Sequence, residues 1–185
     1  MIRRIEFERM HWEAIARHVR ENRVLRHNFA AEIGVRNGDT AEYLLREFSE
    51  LRIDLVDPYL PYTDVGYFYT REQQDGIRER AFLRLAPFGH RVRWRVTPSV
   101  SGADEVEDGA LDFAFIDADH SYAHVVADIA AWWPKVREGG WLMGHDFHMA
   151  DVRRAVMEFA GERTVTHYDG NAQVWCVAKE EACSL

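Results

Sequence analysis

The sequence has few residues of the kinds that indicate a cross-linked or membrane-embedded protein. Its 185 residues include two cysteines and five prolines, and no apolar run approaches the ~18 residues of a membrane helix. Cys176, in a predicted strand, and Cys183, near the end of the chain, form neither a disulfide framework nor a thiolate metal site. The opening residues lack the apolar stretch of a secretory signal, so we expect a cytoplasmic protein without a membrane partner.

Positive charge is also scarce. Lys and Arg number 23 against 31 Asp and Glu, which gives a formal net charge of -8. Nucleic-acid backbones and anionic membrane surfaces both favour clustered basic side chains, so neither is expected as the main partner. We expect a small-molecule partner, and the sequence leaves open whether the chain forms a homodimer.

Short β-rich runs alternate with longer helical patterns, which is typical of βαβ units around a mostly parallel sheet. Residues 91–96 alternate polar and apolar side chains, as expected for a strand at or near a sheet edge. The last two runs flank Asp169-Gly170-Asn171 and predict an antiparallel hairpin. The predicted strands cover residues 29–35, 52–57, 91–96, 111–117, 141–144, 163–168 and 173–178, and the predicted helices cover 8–22, 71–86, 121–133 and 151–160, with another after residue 38.

These elements predict an α/β, Rossmann-like fold. We expect a seven-stranded, mostly parallel sheet with a C-terminal antiparallel hairpin and helices on both faces. The length fits a single domain over residues 1–185. Within it, residues 1–28 are expected to form an N-terminal helical lid ahead of a Rossmann-like core over residues 29–185.

The ends of the first two core strands carry residues suited to a nucleotide-like ligand. In open α/β sheets, ligands bind beyond the carboxyl ends of the strands. Gly34 and Gly38 follow the first strand and allow the backbone to approach a ligand closely. Arg36 stands where a dinucleotide fingerprint requires its second glycine, which disfavours a nicotinamide dinucleotide. Asp57 ends the second strand, where a carboxylate can accept ribose hydroxyls; the alternative is a tight turn beside a solvated acid.

Acids and imidazoles cluster at two further strand ends. Asp117, Asp119 and His120 follow a buried apolar run within four residues, and His145 and Asp146 end the next strand. Solvated loops carry such residues by chance, but two clusters at neighbouring strand ends favour a functional site.

At these motifs the sequence resembles the class I S-adenosylmethionine-dependent methyltransferases. Within them it is similar to a small bacterial-type family close to the macrocin O-methyltransferases and cephalosporin hydroxylases. The motifs are Glu-Ile-Gly-Val-x-x-Gly, Ile-Asp-x-Asp-His-Ser-Tyr and Gly-Gly-x-x-x-Gly-His-Asp-Phe, and the resemblance covers residues 29–160. It implies a methyltransferase domain that binds S-adenosylmethionine through Glu32, Gly34, Gly38, Thr40, Asp57, Ser99 and Asp117.

Similarity to the catechol and caffeoyl-coenzyme A O-methyltransferases implies a divalent metal, Mg²⁺ or Mn²⁺, at the ends of strands four and five. Asp117 and Asp146 match two of the ligand positions, but His145 stands where those enzymes carry an acid. Mg²⁺ prefers oxygen ligands and imidazole suits transition metals better, so either the metal is softer or His145 is not a ligand. Asp119 would supply the missing oxygen, and His148 is a weaker candidate.

The same resemblance implies O-methylation of a hydroxyl on a small molecule, such as a sugar or a phenol. His120 matches a lysine that deprotonates the acceptor, and either His120 or His145 would act as the base near neutral pH. One alternative is a metal-free methyltransferase with a histidine base, and another is a non-catalytic nucleotide-binding module. The hydroxylase relatives raise a third, an iron-type site made of His145, Asp146 and His148.

An aromatic segment lies between the second and third strands, with spacing too irregular for a helix. We predict a loop that covers the site, where aromatic rings either stack on a sugar or aromatic acceptor or pack the loop onto the core. Its residues are Tyr59, Tyr62, Tyr67, Phe68 and Tyr69.

Overall fold

A computed structural model describes residues 1–64 and 67–180, apart from the side chains of Asp64 and Tyr67. Within these residues the strands are β1 (Ile2–Ile5), β2 (Phe29–Ile33), β3 (Arg52–Val56), β4 (Tyr62–Asp64), β5 (Tyr67–Tyr69), β6 (Val92–Arg95), β7 (Leu111–Ile116), β8 (Val136–Gly144), β9 (Val165–Tyr168) and β10 (Val174–Ala178). The helices are α1 (His11–Glu21), α2 (Asp39–Glu47), α3 (Arg71–Leu85), α4 (Ser99–Asp104), α5 (Tyr122–Trp132) and α6 (Ala150–Ala160), and 3-10 turns over Ala86–Arg91 follow α3.

One large sheet organises the described chain, in the strand order β1-β9-β10-β8-β7-β2-β3-β6. Strands β8, β7, β2, β3 and β6 run parallel, whereas β10 runs antiparallel to both β8 and β9. The predicted mixed α/β fold, its C-terminal hairpin and the edge position of β6 are therefore confirmed.

The sheet has eight strands rather than the predicted seven, because β1 pairs in parallel with β9. Backbone bonds hold this edge strand: Val165 N donates to Met1 O and Asp169 N donates to Ile5 O, both at 2.8 Å. Its four residues include two arginines and are mostly exposed, so the strand has no buried face that an apolar pattern would reveal.

Each face of the sheet buries alternate residues under helices, as strand geometry requires. On β7, Phe113 and Phe115 face a core that includes α1 and α2, whereas Ala114 and Ile116 face a core that includes α5 and α6. Cys176 is buried in β10, where it acts as a small apolar side chain; Cys183 lies outside the described residues. None of the helices over residues 1–64 and 67–180 combines the length and the apolar character needed to cross a membrane.

Two short elements are observed that the sequence does not predict. Strands β4 and β5 form a separate antiparallel hairpin in the aromatic segment, and α4 follows the tip of β6. Neither element has more than six residues, so neither shows a hydrophobic period long enough to predict it.

The tips of the central strands are joined edge to edge, and this places the candidate site. Asp117 N donates to Ile33 O at 2.7 Å, and His145 N donates to Ile116 O at 3.0 Å. The chain leaves β2 for α2 on one face and leaves β7 for α5 on the other, so a crevice opens between these neighbouring strands.

Helix α1 buries a histidine against the sheet. The His18 side chain is 1% exposed, its Nδ1 lies 3.0 Å from the Tyr168 hydroxyl, and its Nε2 has no partner among the described residues. Burial lowers the pKa of His18 to about 4, so the folded protein holds this imidazole neutral.

We predict that His18 makes the protein less stable in mild acid. The unfolded chain binds a proton near pH 6.5 and the folded chain only near pH 4, so stability falls as pH decreases through that window. Between pH 7.5 and pH 5 the free energy of unfolding should fall by about 2 kcal/mol more in the wild type than in His18→Asn. Urea unfolding at the two pH values measures this, and an equal fall in both proteins would contradict it.

Candidate functional site

A glycine at the end of β2 allows two strand tips to meet. Gly34 has a φ of +85°, and a Cβ atom there would lie 2.0 Å from the carbonyl oxygen of Asp117. No side chain fits this space, so the close approach of β2 to β7 requires glycine. We expected a glycine here because it allows the backbone to approach a ligand. The packing of the two strands already requires it.

Asp57, at the tip of β3, holds the turn that follows β2. Its Oδ2 accepts hydrogen bonds from the amides of Val35 and Arg36, each at 3.0 Å, and its Oδ1 accepts one from Tyr59 at 2.8 Å. Burial raises the pKa of Asp57, although these three bonds oppose the shift. The carboxylate therefore shapes the glycine turn; contact with a ribose stays a prediction.

Glu32, in β2, is buried beside the same turn. The residue is 2% exposed, and its carboxylate accepts a bond from the Ala41 amide at the start of α2. Burial raises the pKa of Glu32 well above its ordinary value, and the charges of Asp117 and Asp57 raise it further. Its Oε2 has no partner among the described residues. A buried polar atom without a partner indicates a place where a ligand group can bind.

The other predicted cofactor residues lie on separate elements. Gly38 precedes α2 in the left-handed region, with a φ of +76°. Ser99 begins α4 beyond β6, where its hydroxyl accepts from the Trp132 indole at 3.0 Å. Ser99 also hydrogen-bonds Asp128, whose pKa burial raises to about 6. Ser99 thus links α4 to α5, and its contact with an adenine stays a prediction.

An acid and imidazole cluster occupies the tips of β7 and β8. His120 Nε2 lies 2.8 Å from Asp146 Oδ2 and 3.9 Å from Asp117 Oδ1. One ligand atom from each of these three side chains lies within 4.8 Å of the others, the one such group found among residues 1–64 and 67–180. Asp146 adopts a φ of +55°, a left-handed conformation that aspartate tolerates better than most residues.

His145 lies against both acids of this cluster. Its Nδ1 is 3.0 Å from Asp146 Oδ2 and 3.5 Å from Asp117 Oδ1. Burial alone would lower the pKa of His145, but hydrogen bonds to the two carboxylates and their charges raise it to about 10. Hydrogen bonds to His120 and His145 hold the pKa of Asp146 below its ordinary value despite its burial. The two carboxylates thus favour the protonated form of His145 in this arrangement.

Two predicted metal residues lie outside the cluster. Asp119 accepts a bond from the Ser121 amide at 2.8 Å and lies 3.3 Å from His124 Nδ1, so its carboxylate stabilises the start of α5. His148 is 57% exposed and its Nδ1 is 3.7 Å from Asp146 Oδ1. The described residues thus bring His120, rather than Asp119, to Asp117 and Asp146. They group neither Asp119 nor His148 with the other ligands.

Sequence reasoning missed two residues that border the cluster. His11 begins α1, and its ring centroid lies 4.5 Å from that of His145. Trp175 of β10 covers Gly144, where an added Cβ would lie 2.4 Å from the indole, and its Nε1 donates to His145 O at 3.1 Å. No motif marks His11, whereas the pairing of the predicted hairpin with β8 would have brought Trp175 near this strand tip.

The aromatic segment is attached to the glycine turn. The Tyr59 hydroxyl donates to Arg36 O at 3.2 Å, and the Arg36 guanidinium donates to the Tyr69 hydroxyl at 3.5 Å. The rings of Tyr62 and Tyr69 stack at 5.6 Å across the hairpin, and Phe68 is 64% exposed. The Tyr67 side chain lies outside the described residues.

Comparison with known proteins adds a family and several folds. A family model described as a methyltransferase domain matches residues 31–147. No curated protein matches the chain. A protein proposed to be a caffeoyl-CoA O-methyltransferase from Staphylococcus aureus has a TM-score of 0.67 at 14% identity, over 94% of this chain and 84% of that one.

Two further solved structures are similar. A methyltransferase from Geobacter sulfurreducens has a TM-score of 0.66 at 14% identity, covering 95% of this chain and 80% of its own. The O-methyltransferase NovP has a TM-score of 0.62 at 16% identity, covering 92% and 78%. At these identities the similarity establishes the fold.

We predict that Gly34→Ala destabilises the protein strongly. The new methyl group would collide with the Asp117 carbonyl in an unfavourable backbone conformation, at a cost of at least about 3 kcal/mol. Gly109 is the matched control, because its φ is +71° and the nearest atom to an added Cβ is 4.0 Å away. Gly109→Ala should cost about 1 kcal/mol. Chemical denaturation measures both, and equal losses would contradict the collision.

Proposed function

The chain belongs to the methyltransferase domain family, as its motifs predict, and we propose that it transfers the methyl group of S-adenosylmethionine to a hydroxyl oxygen of a small molecule. The observation that carries this proposal is the meeting of two half-sites at neighbouring strand tips. The glycine turn and Glu32 lie on the β2 side, and the cluster of Asp117, His120 and Asp146 lies on the β7 and β8 side. The O-methyltransferase named among the similar folds supports the choice of oxygen.

The β2 side fits the methyl donor. The unpartnered Oε2 of Glu32 offers a buried acceptor, and the turn after Gly34 is fixed by two amide bonds to Asp57, from Val35 and Arg36. S-adenosylmethionine supplies a sulfonium methyl that needs no further activation. The chain's task on this side is therefore to bind the donor and align it with the acceptor oxygen.

The β7 and β8 side fits a divalent cation. Two carboxylates and one imidazole offer ligand atoms within 4.8 Å of one another, close enough to share one ion. The mixed oxygen and nitrogen set suits Mn²⁺ better than Mg²⁺. Such an ion, when bound, lowers the pKa of an adjacent hydroxyl. Asp117, Asp146 and His120 would hold it.

His120 has two candidate roles that exclude each other. Its Nε2 either joins the ligand set or accepts the proton of the substrate hydroxyl, since one nitrogen cannot do both at once. His145 is the other candidate base, and its Nδ1 already lies against both carboxylates. If the cluster works without a metal, as in the metal-free alternative, His120 has the second role.

The acceptor is proposed to be a sugar or phenol hydroxyl. The rings of Tyr62 and Tyr69 stack on each other, and the Tyr69 hydroxyl accepts a hydrogen bond from Arg36 in the glycine turn. The exposed Phe68 lies in the same hairpin. Aromatic side chains of this kind stack on planar rings and on the apolar faces of sugars.

Binding of S-adenosylhomocysteine tests the donor half. We expect a micromolar dissociation constant, about -8 kcal/mol, by calorimetry. Asp57→Ala should weaken binding at least about tenfold, because the amides of Val35 and Arg36 in the glycine turn lose the carboxylate that accepts their hydrogen bonds. Asp146→Ala, on the other half-site, should leave it unchanged. A wild-type protein that binds no S-adenosylhomocysteine would refute the proposed function.

Mn²⁺ titration tests the acceptor half. Asp117→Asn and Asp146→Asn should each weaken Mn²⁺ binding at least about tenfold. Asp119→Asn is the control and should not weaken it, because the Asp119 carboxylate faces α5.

His120→Ala separates the two roles of His120. If Mn²⁺ binding is lost, His120 is a metal ligand; if binding is retained but methyl transfer to a panel of phenols and sugars is lost, His120 is the base. Transfer that persists after chelation would favour the metal-free alternative.

A further inference from the structure

Helix α1 begins near the strand tips, and its first residue contacts Thr40 on one side and His145 on the other. His11 Nε2 lies 2.8 Å from the hydroxyl oxygen of Thr40, in the first turn of α2. On the other side, the His11 ring lies 4.5 Å from the ring of His145 and is nearly parallel to Phe115 at 6.0 Å. A single side chain from outside the family match therefore contacts α2 on the donor side and His145, which lies against the acid cluster.

Thr40 lies where a ligand would meet α2. The first turn of a helix carries amides without partners inside the helix, and these point toward bound anions and polar ligands. The neighbouring Ala41 amide is already bonded to Glu32, and Thr40 is 4% exposed. A threonine hydroxyl donates one bond and accepts two, so the bond to His11 leaves capacity for a ligand and restricts the direction of the hydroxyl.

Burial keeps the bridging imidazole neutral. It lowers the pKa of His11 to about 4, and the nearby His145 contributes in the same direction. A neutral imidazole has one donor and one acceptor nitrogen, so His11 pairs with the Thr40 hydroxyl without adding a charge beside the donor site.

We propose that His11 is a positioning residue, which fixes the Thr40 hydroxyl on the methyl-donor side of the crevice and so makes donor binding depend on α1. This inference rests on the proposed function, because it concerns the same donor site. It assigns to α1, which packs on one face of the sheet, a part in binding the donor.

Docking of α1 does not itself depend on this bond. Ala14, Ile15 and Ala16 are 0% exposed and Val19 is 2% exposed, so the helix is held by an apolar face one turn beyond His11. Removal of the His11 bond therefore leaves α1 in place, and its effect on ligand binding can be measured separately from stability.

Calorimetry with S-adenosylhomocysteine on four variants tests the proposal. His11→Phe keeps a ring and loses the bond, and it should bind about tenfold more weakly. His11→Gln places an amide near the Nε2 position and should stay within about threefold of the wild type. In a Thr40→Val background, His11→Phe should have no further effect, because it acts through the hydroxyl that is already absent. Thermal unfolding of each variant monitors the fold.

The outcomes distinguish this inference from the proposed function. The role of His11 alone would be overturned if the wild type binds S-adenosylhomocysteine and His11→Phe binds it equally well. It would also be overturned if the losses of affinity from His11→Phe and Thr40→Val multiply in the double variant. A wild type that does not bind S-adenosylhomocysteine would overturn the proposed function first. Mn²⁺ binding, which His11→Phe should leave unchanged, confirms that the acid cluster is intact in the variant.

Discussion

The contact between the tips of β2 and β7 is the constraint on which the site depends. Gly34 adopts a positive φ and lies against the Asp117 carbonyl, and the Asp117 amide bonds back to Ile33. Two adjacent parallel strands thus end side by side while their helices leave on opposite faces. The glycine turn, the buried Glu32 and the acid cluster are neighbours only because this contact has no side chain in it.

Opposite charges organise the cluster beyond that contact. Asp117 and Asp146 are partly buried, and the imidazoles of His120 and His145 lie between them. Burial works against each charged group, but the hydrogen bonds outweigh it and hold the acids ionised and His145 protonated. Charges of opposite sign therefore keep a charged, polar centre stable at the edge of an apolar core.

Long elements and strand-end motifs were predictable from the sequence, and short or long-range features were not. The core strands and the helices over α1, α3, α5 and α6 have periods that span several residues, and they lie where the patterns predict, except that β8 begins at Val136 rather than at Trp141. Strand β1 has no buried face, and α4 and the β4–β5 hairpin are too short to show a period.

The sequence identifies Asp117, His120 and Asp146 as site candidates, because parallel strand ends meet at one sheet edge. Asp119 was expected to join Asp117 and Asp146, but its carboxylate accepts a local hydrogen bond from Ser121 instead.

His11 and Trp175 border the acid cluster, and both lie outside the segment of residues 31–147 that matches the family. One comes from a helix ahead of the shared segment and the other from the hairpin behind it. The border of the acid cluster is therefore formed in part by residues that the matched segment does not contain. A change in either flanking piece would reshape this border and leave Asp117, His120 and Asp146 as they are.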